Sequence, residues 1–250
     1  NRSYRCRTHN TRDEETMKLI MPMAGLGSRF PDQVKPLIQV GDVPMFVHSE
    51  RCIDLEFDER VFIVHKQHDI KSRVLEWYPD AHVIELDYLT EGTACSIMTA
   101  REHFEDGSDI FVSNCDQHIE WDSEHAESII NNPYNSGMIP SFHCPGRSPK
   151  WSYALVDDRQ NIKRVAEKDP ISDWATVGYY WWRDGTQFIE SVERMIQAND
   201  RVNNEFYTCP VFNHTIALEG IGNIKHISVD VMQGLGTPED LNEYETIYST

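Results

Sequence analysis

Between Met17 and Asn114 the chain alternates between two kinds of segment, and that alternation constrains the fold more than any single residue. KLIMPM (18–23), RVFIVHK (60–66), AHVIEL (81–86) and DIFVSN (109–114) are short, nearly continuous apolar runs of strand length. PMFVHSERCI (44–53), HDIKSRVLEWY (68–78) and EGTACSIMTAREHF (91–104) lie between them with helical spacing, and Pro44 falls in the first turn of its helix. A strand that reaches the next strand through a helix must cross over and return parallel to the first. Strands of a parallel sheet are covered on both faces, which is why they read as apolar runs instead of alternating ones. The spacing therefore predicts an α/β chain: a Rossmann-like three-layer αβα sandwich around a mixed, mostly parallel central sheet.

The rhythm changes after residue 135. GMIPSFHC (137–144), SYALVDD (152–158), NIKRVAEK (161–168) and ATVGYYWW (175–182) follow one another as strands with polar turns between them. Helices are expected at 185–199 and 206–220, a strand at 223–229, and a last helix opening on Thr237, Pro238 and Asp240. Trp181 and Trp182 read as core. The expected organisation is one domain over 17–250, with a parallel half at 17–135 and a mixed half at 136–250. Residues 1–16, NRSYRCRTHNTRDEET, are polar, show no period and contain no apolar segment of the kind a signal peptide needs. They read as a leader or linker outside the fold.

Charge and cysteine usage narrow the function. A net charge of −18 argues against general nucleic-acid binding, which wants a basic face, but leaves room for a local phosphate site. No apolar run approaches the roughly 18–20 residues that span a bilayer, so no membrane insertion is expected. The six cysteines, at 6, 52, 95, 115, 144 and 209, include no C-x-x-C pair. They read as reduced core residues of a cytoplasmic protein, with neither a disulfide scaffold nor a zinc site expected. The eleven histidines show no H-E-x-x-H spacing, and no G-x-S-x-G elbow is present.

The segment MKLIMPMAGLGSRFPDQVKPLIQV (17–40) carries the chemistry. It lacks the G-K-[ST] ending of an ATPase phosphate loop. Phe30 stands where a dinucleotide-binding turn needs its third glycine. Gly25 and Gly27 still let backbone N–H groups approach an anion, and Arg29 and Lys35 add fixed positive charge suited to a triphosphate. Here the chain resembles the sugar-phosphate nucleotidylyltransferases, whose signature runs strand, A-G-x-G-[ST]-R, a gap, then K-P-[LM]. LTEGTACSI (89–97), VSNCDQH (112–118), VAEKDPIS (165–172), VGYYWW (177–182), NNEFYTCPVFN (203–213) and GLGTPEDL (234–241) resemble later family segments in the same order, so the resemblance spans about 17–247.

The resemblance implies a GT-A-like nucleotidyltransferase fold, with 17–135 binding nucleotide and 136–250 binding acceptor. It implies that Ala24, Gly25, Leu26, Gly27, Ser28, Gly92, Thr93 and Asn114 bind an NTP, with CTP, UTP or dTTP favoured. Arg29, Lys35 and Lys168 would be catalytic, Gly178, Glu205 and Tyr207 would hold the acceptor, and Asp116 would bind Mg²⁺. Many members carry a second metal-binding Asp two residues before the closing G-T. This chain has Gly234 there, with Asp230 nearby but out of register. The chain is most similar to short, single-domain members of capsule and surface-polysaccharide pathways, one branch of which joins CTP to phosphorylated small molecules such as phosphoglutamine. The implied reaction joins an NTP to a phosphorylated acceptor, a sugar 1-phosphate or another small molecule, and releases pyrophosphate. Two alternatives stay open: a GT-A glycosyltransferase, although His118 occupies the second position of its D-x-D motif, and a catalytically inactive nucleotide sensor. Homo-oligomerisation is also left open.

Overall fold

The computed structural model describes residues 16–248. The leader or linker read over 1–16 thus lies outside the described residues, apart from Thr16, whose carbonyl accepts from the Asp109 N–H. Strands β1 (Met17–Met23), β2 (Gln39–Val40) and β3 (Val43–Pro44) lead into helix α1 (Met45–Arg51). β4 (Glu59–His65), α2 (Lys71–Trp77), β5 (His82–Leu86), α3 (Thr93–Met98), β6 (Asp109–Ser113), β7 (Gln117–Glu120) and α4 (Ser123–Ile130) follow. The second half comprises β8 (Gly137–His143), β9 (Ser152–Val156), β10 (Ile162–Glu167), β11 (Trp174–Thr176), β12 (Tyr179–Trp182), α5 (Gly185–Gln197), α6 (Val211–Glu219), β13 (Ile224–Ser228), β14 (Val231–Gly234) and α7 (Pro238–Tyr248). Among the described residues, no helix is long and apolar enough to cross a membrane.

Ten strands form one sheet in the order β10-β9-β11-β8-β12-β6-β1-β4-β5, with β13 also paired to β8. β5, β4, β1 and β6 are mutually parallel, and β13 is parallel to β8. Only β12, β11 and β10 run against the rest. The sheet is therefore mixed but mostly parallel, as the alternation predicts.

Both faces are covered. Along β12, Tyr179 and Trp181 enter one core while Tyr180 and Trp182 enter another. Along β6, Ile110 and Val112 face one side and Phe111 the other. Successive side chains of a strand point to opposite faces, so an unbroken apolar run is what a sheet with helices on both sides requires. Residues from α3, α5 and α6 fill one face; those from α1, α2 and α4 fill the other. Trp181 and Trp182 are fully buried. The Trp182 ring stacks on Phe212 of α6 at 3.9 Å, which pins that helix to the sheet.

Some boundaries differ from the sequence expectation. The helix expected at 206–220 begins only at Val211, because Pro210 stands at its N-cap and 206–209 crosses over the start of α3. The helix expected at 91–104 ends at Met98 and resumes as a short 3-10 turn, Arg101–His103. ATVGYYWW divides into β11 and β12 around Gly178. α4, capped by Asp122 accepting from the His125 N–H at 2.9 Å, was not foreseen, and neither was the two-stranded ribbon of β7 and β14.

Candidate active site

β1 lies between β4 and β6: the chain runs from β1 to β4 and β5 on one side, then crosses back through α3 to β6 on the other. Where strand order reverses in this way, the C-terminal strand ends open a crevice that holds ligands in α/β sheets. Two segments meet there: the glycine loop after β1, and Asn114–Asp116 after β6.

Ala24 is buried at the end of β1, while Gly25, Leu26, Ser28 and Arg29 are exposed. The Phe30 N–H donates to the Gly27 carbonyl at 2.8 Å, and the Phe30 ring is buried. The residue that rules out a dinucleotide turn is thus the anchor of this one. Pro36 is buried in a 3-10 turn, and the preceding Lys35 spans to Asp116, donating from Nζ to Oδ2 at 2.8 Å. Burial works against both charges, but the attraction within the pair outweighs it. Lys35 is raised above its ordinary value, and Asp116, with Arg29 also nearby, is lowered. Both groups are ionised at neutral pH.

A cleft of about 650 Å³ opens beside this pair. Arg29, Thr93, Asn114, Asp116, Lys168, Gly178, Glu205 and Tyr207 all line it. Residues scattered over more than 170 positions are thereby brought to one site. Gly178 has φ +81°, and a Cβ there would collide with the Asn114 side-chain amide. Only glycine serves at that position. Gly92 (φ +130°) lies against the Phe206 backbone in the same way, and Thr93 Oγ1 accepts from the Thr208 N–H at 3.1 Å. These contacts fix the start of α3 against the cleft wall.

On the far wall, Lys168 adopts a left-handed backbone (φ +55°) that is uncommon for a lysine, and its ammonium donates to the Tyr207 hydroxyl at 2.8 Å. Burial and a hydrogen bond with Glu205 raise the Tyr207 phenol, so it stays protonated. Backbone strain of this kind persists where surrounding contacts over-determine it, often at functional sites.

Several residues of the cleft were missed from sequence. Glu167 is one: burial pushes its carboxyl up against the opposing hydrogen bond from Ser152. Asp240 is another, bonded by Lys150 Nζ at 2.7 Å and lying 3.7 Å from where a Gly234 Cβ would be. The GTPED segment contained the signal for Asp240, but it reads there only as a helix start. That start does form: Thr237 Oγ1 accepts from the Asp240 N–H at 3.1 Å.

Asp230 is not brought to the site. It is exposed at the far end of the β7–β14 ribbon, with its N–H on the Glu120 carbonyl, while Gly234 at the near end pairs with Gln117 beside Asp116. Four residues of strand separate the two positions, about 13 Å at ~3.3 Å per residue. His118 also turns away: its Nδ1 lies 3.0 Å from His48 Nε2, outside the cleft. It offers no second ligand beside Asp116.

The MobA-like NTP transferase domain matches residues 20–156, more than half of the chain. The protein belongs to the MobA-like NTP transferase family. The match covers the glycine loop, Lys35, Thr93, Asn114 and Asp116, whereas Lys168, Gly178, Glu205 and Tyr207 lie beyond it. Among solved structures the fold is similar to a nucleoside-diphosphate-sugar pyrophosphorylase from Vibrio cholerae RC9 (TM-score 0.75, 21% identity, 90% of this chain and 98% of the other). It is similar to a Bacillus anthracis protein named as a glucose-1-phosphate thymidylyltransferase and solved with sucrose (0.76, 18%, 93% and 95%). It is also similar to the inositol-1-phosphate CTP transferase of T. maritima (0.71, 14%, 93% and 95%). No curated protein matches the sequence.

Proposed function

We propose that this MobA-like domain is a nucleotidylyltransferase that joins an NTP to a phosphorylated small molecule and releases pyrophosphate. The carrying observation is one cleft with cations on two walls. Arg29 and the Lys35–Asp116 pair come from the family-matched half, and Lys168 comes from the other. Two anionic substrates that must meet need that arrangement.

The acceptor phosphate is already anionic near neutral pH, so no general base is required. Its oxygen attacks the α-phosphorus, the bond from that phosphorus to the bridging oxygen of the β-phosphate breaks, and pyrophosphate leaves with the electron pair. Arg29 and the amides of 24–28 hold the β- and γ-phosphates. Lys35 offsets charge on the α-phosphate and the leaving group. Lys168, oriented by Tyr207, aligns the attacking phosphate, with Gly178 and Glu205 beside it. Thr93, Gly92 and Asn114 bound the nucleoside side.

Mg²⁺ fits these residues. Asp116 is an ionised, hard oxygen donor at the cleft, and one carboxylate completed by phosphate and water is a common way to hold this ion. Asp240 is the other carboxylate of the described residues near Gly234 that lines the cleft. Bound there, the ion supplies neutralising charge for the nucleotide phosphates.

CTP, UTP and dTTP are the favoured nucleotides. A sugar 1-phosphate, or a phosphorylated molecule of the phosphoglutamine type, is the acceptor class, and capsule or surface-polysaccharide synthesis is the setting. The sequence resemblance supports these finer assignments.

Pyrophosphate release tests the proposal. Each NTP, with Mg²⁺, is crossed with sugar 1-phosphates and phosphorylated small molecules. Release with one pair, abolished by Asp116→Ala, is the expected result. Failure to bind any NTP would sink the reading.

A further inference from the structure

Behind the cleft wall, three metal-ligating side chains converge that the reaction does not use. His48 and Cys52 lie one helical turn apart at the end of α1, and His118 lies on β7. His48 Nε2 and His118 Nδ1 are 3.0 Å apart, and Cys52 Sγ lies 3.8 Å from the first and 3.6 Å from the second. The three atoms form a compact triangle of ligand atoms.

A tetrahedral zinc ion, with Zn–N bonds of about 2.0–2.1 Å and a Zn–S bond of about 2.3 Å, holds its ligand atoms roughly 3.3 Å (N···N) and 3.5 Å (N···S) apart. The observed triangle matches one face of that tetrahedron within a few tenths of an ångström. The ring on β7 is also oriented as a ligand should be. His118 presents Nδ1 to the triangle, while its Nε2 is 3.2 Å from Glu120 Oε1. A carboxylate on the distal nitrogen fixes the tautomer and raises the basicity of a metal-bound histidine. Tyr244 and Tyr248 of α7 stack on each other at 4.6 Å and lie over the His118 ring, at 5.2 and 4.8 Å, which limits solvent access.

The second such group, Glu59 with His82 and His103, is a poorer candidate. Lys18 Nζ lies 3.7 Å from its carboxylate and already supplies the positive charge.

We propose that His48, Cys52 and His118 form a zinc site with three protein ligands and a water in the fourth position, oriented through Glu120. On binding, the Cys52 thiol proton leaves to solvent, and the ring proton held between the facing nitrogens moves to the far nitrogen of the ring that carried it, so that each neutral ring keeps one proton, on His48 Nδ1 and on His118 Nε2. The site staples α1 to β7, which begins one residue after Asp116. It is a positioning site, separate from the nucleotide cleft.

Cobalt(II) and zinc titrations of the chelator-stripped full chain test this without any nucleotide, so the outcome does not depend on nucleotidyl transfer. Cobalt should bind with one equivalent giving a thiolate-to-metal charge-transfer band and tetrahedral d–d bands. Cys52→Ser should lose the charge-transfer band. His48→Gln and His118→Gln should weaken zinc by about 100-fold, and Glu120→Gln by about tenfold. Zinc should raise the melting temperature of the parent protein and not that of Cys52→Ser. If a histidine variant fails to fold, the near-isosteric Cys52→Ser change still decides the matter. No charge-transfer band in the parent protein, a band that survives in Cys52→Ser, or equal zinc stabilisation of both would overturn the proposal.

Discussion

Four residues, Lys35, Asp116, Lys168 and Tyr207, illustrate what a side chain can do once its surroundings are fixed. Lys35 and Asp116 form a part-buried pair, each about a fifth exposed, at the mouth of a polar cleft. Breaking such a pair leaves an uncompensated charge, so either partner is costly to remove. Lys35→Ala and Lys168→Ala should each lower kcat by about 100-fold or more, the effect of losing one preorganised charge. Tyr207→Phe removes only the hydroxyl that Lys168 bonds, so its effect should be smaller, about tenfold. Steady-state rates of the three variants check the order, and near-normal turnover in both lysine variants would refute the assignment. At this scale the sequence was most informative where a residue sits in an ordered string, as with Arg29, Lys35 and Asp116. It was least informative for Glu167 and Asp240. A single acidic residue on a strand or in a helix start looks the same whether it faces water or a cleft.

At the scale of elements, the helix and strand signals came from local periodicity, and they failed where tertiary contacts set the boundary. The stretch 206–220 reads as a helix from its start, yet 206–209 passes Gly92 as irregular chain and turn and hydrogen-bonds there: Phe206 N–H to the Glu91 carbonyl at 2.7 Å and Ala94 N–H to the Phe206 carbonyl at 3.0 Å. Pro210 then delays the helix. β7 and β14, four residues each, are too short to show a period and exist because each pairs with the other. Helix α6, by contrast, is held by burial. Phe212 is fully buried against Trp182, Tyr180 and the sheet. Phe212→Ala should cost about 3–5 kcal/mol, read as a lower denaturant midpoint with an unchanged slope. A loss below 1 kcal/mol would mean that the site collapses to fill the cavity.

For the whole molecule, burial of one histidine ties stability to pH. His226 on β13 is almost fully buried, with Nδ1 2.8 Å from Gln160 Oε1. Burial lowers its pKa from 6.5 to about 4. Between those values the unfolded chain binds a proton that the folded chain does not. The contribution is therefore fully present above pH 6.5 and is lost as pH falls toward 4, with a slope of up to about 1.4 kcal/mol per pH unit. Denaturant melts of the parent and His226→Gln across that range should show a shallower acid slope in the variant; equal slopes would show that the ring titrates normally. The same distinction runs through the molecule. The sequence by itself determined the layered α/β sandwich, because unbroken apolar runs separated by helices can be buried only in a sheet covered on both faces. It also determined the glycine loop and the order of the motifs, since both are local in the chain. Tertiary structure decided which acidic groups share the cleft, that Asp230 stands apart from Asp116, and that His48, Cys52 and His118 meet. Those facts depend on strand pairing and on which face of a strand a side chain takes. A one-residue change of register reverses that face without altering the composition.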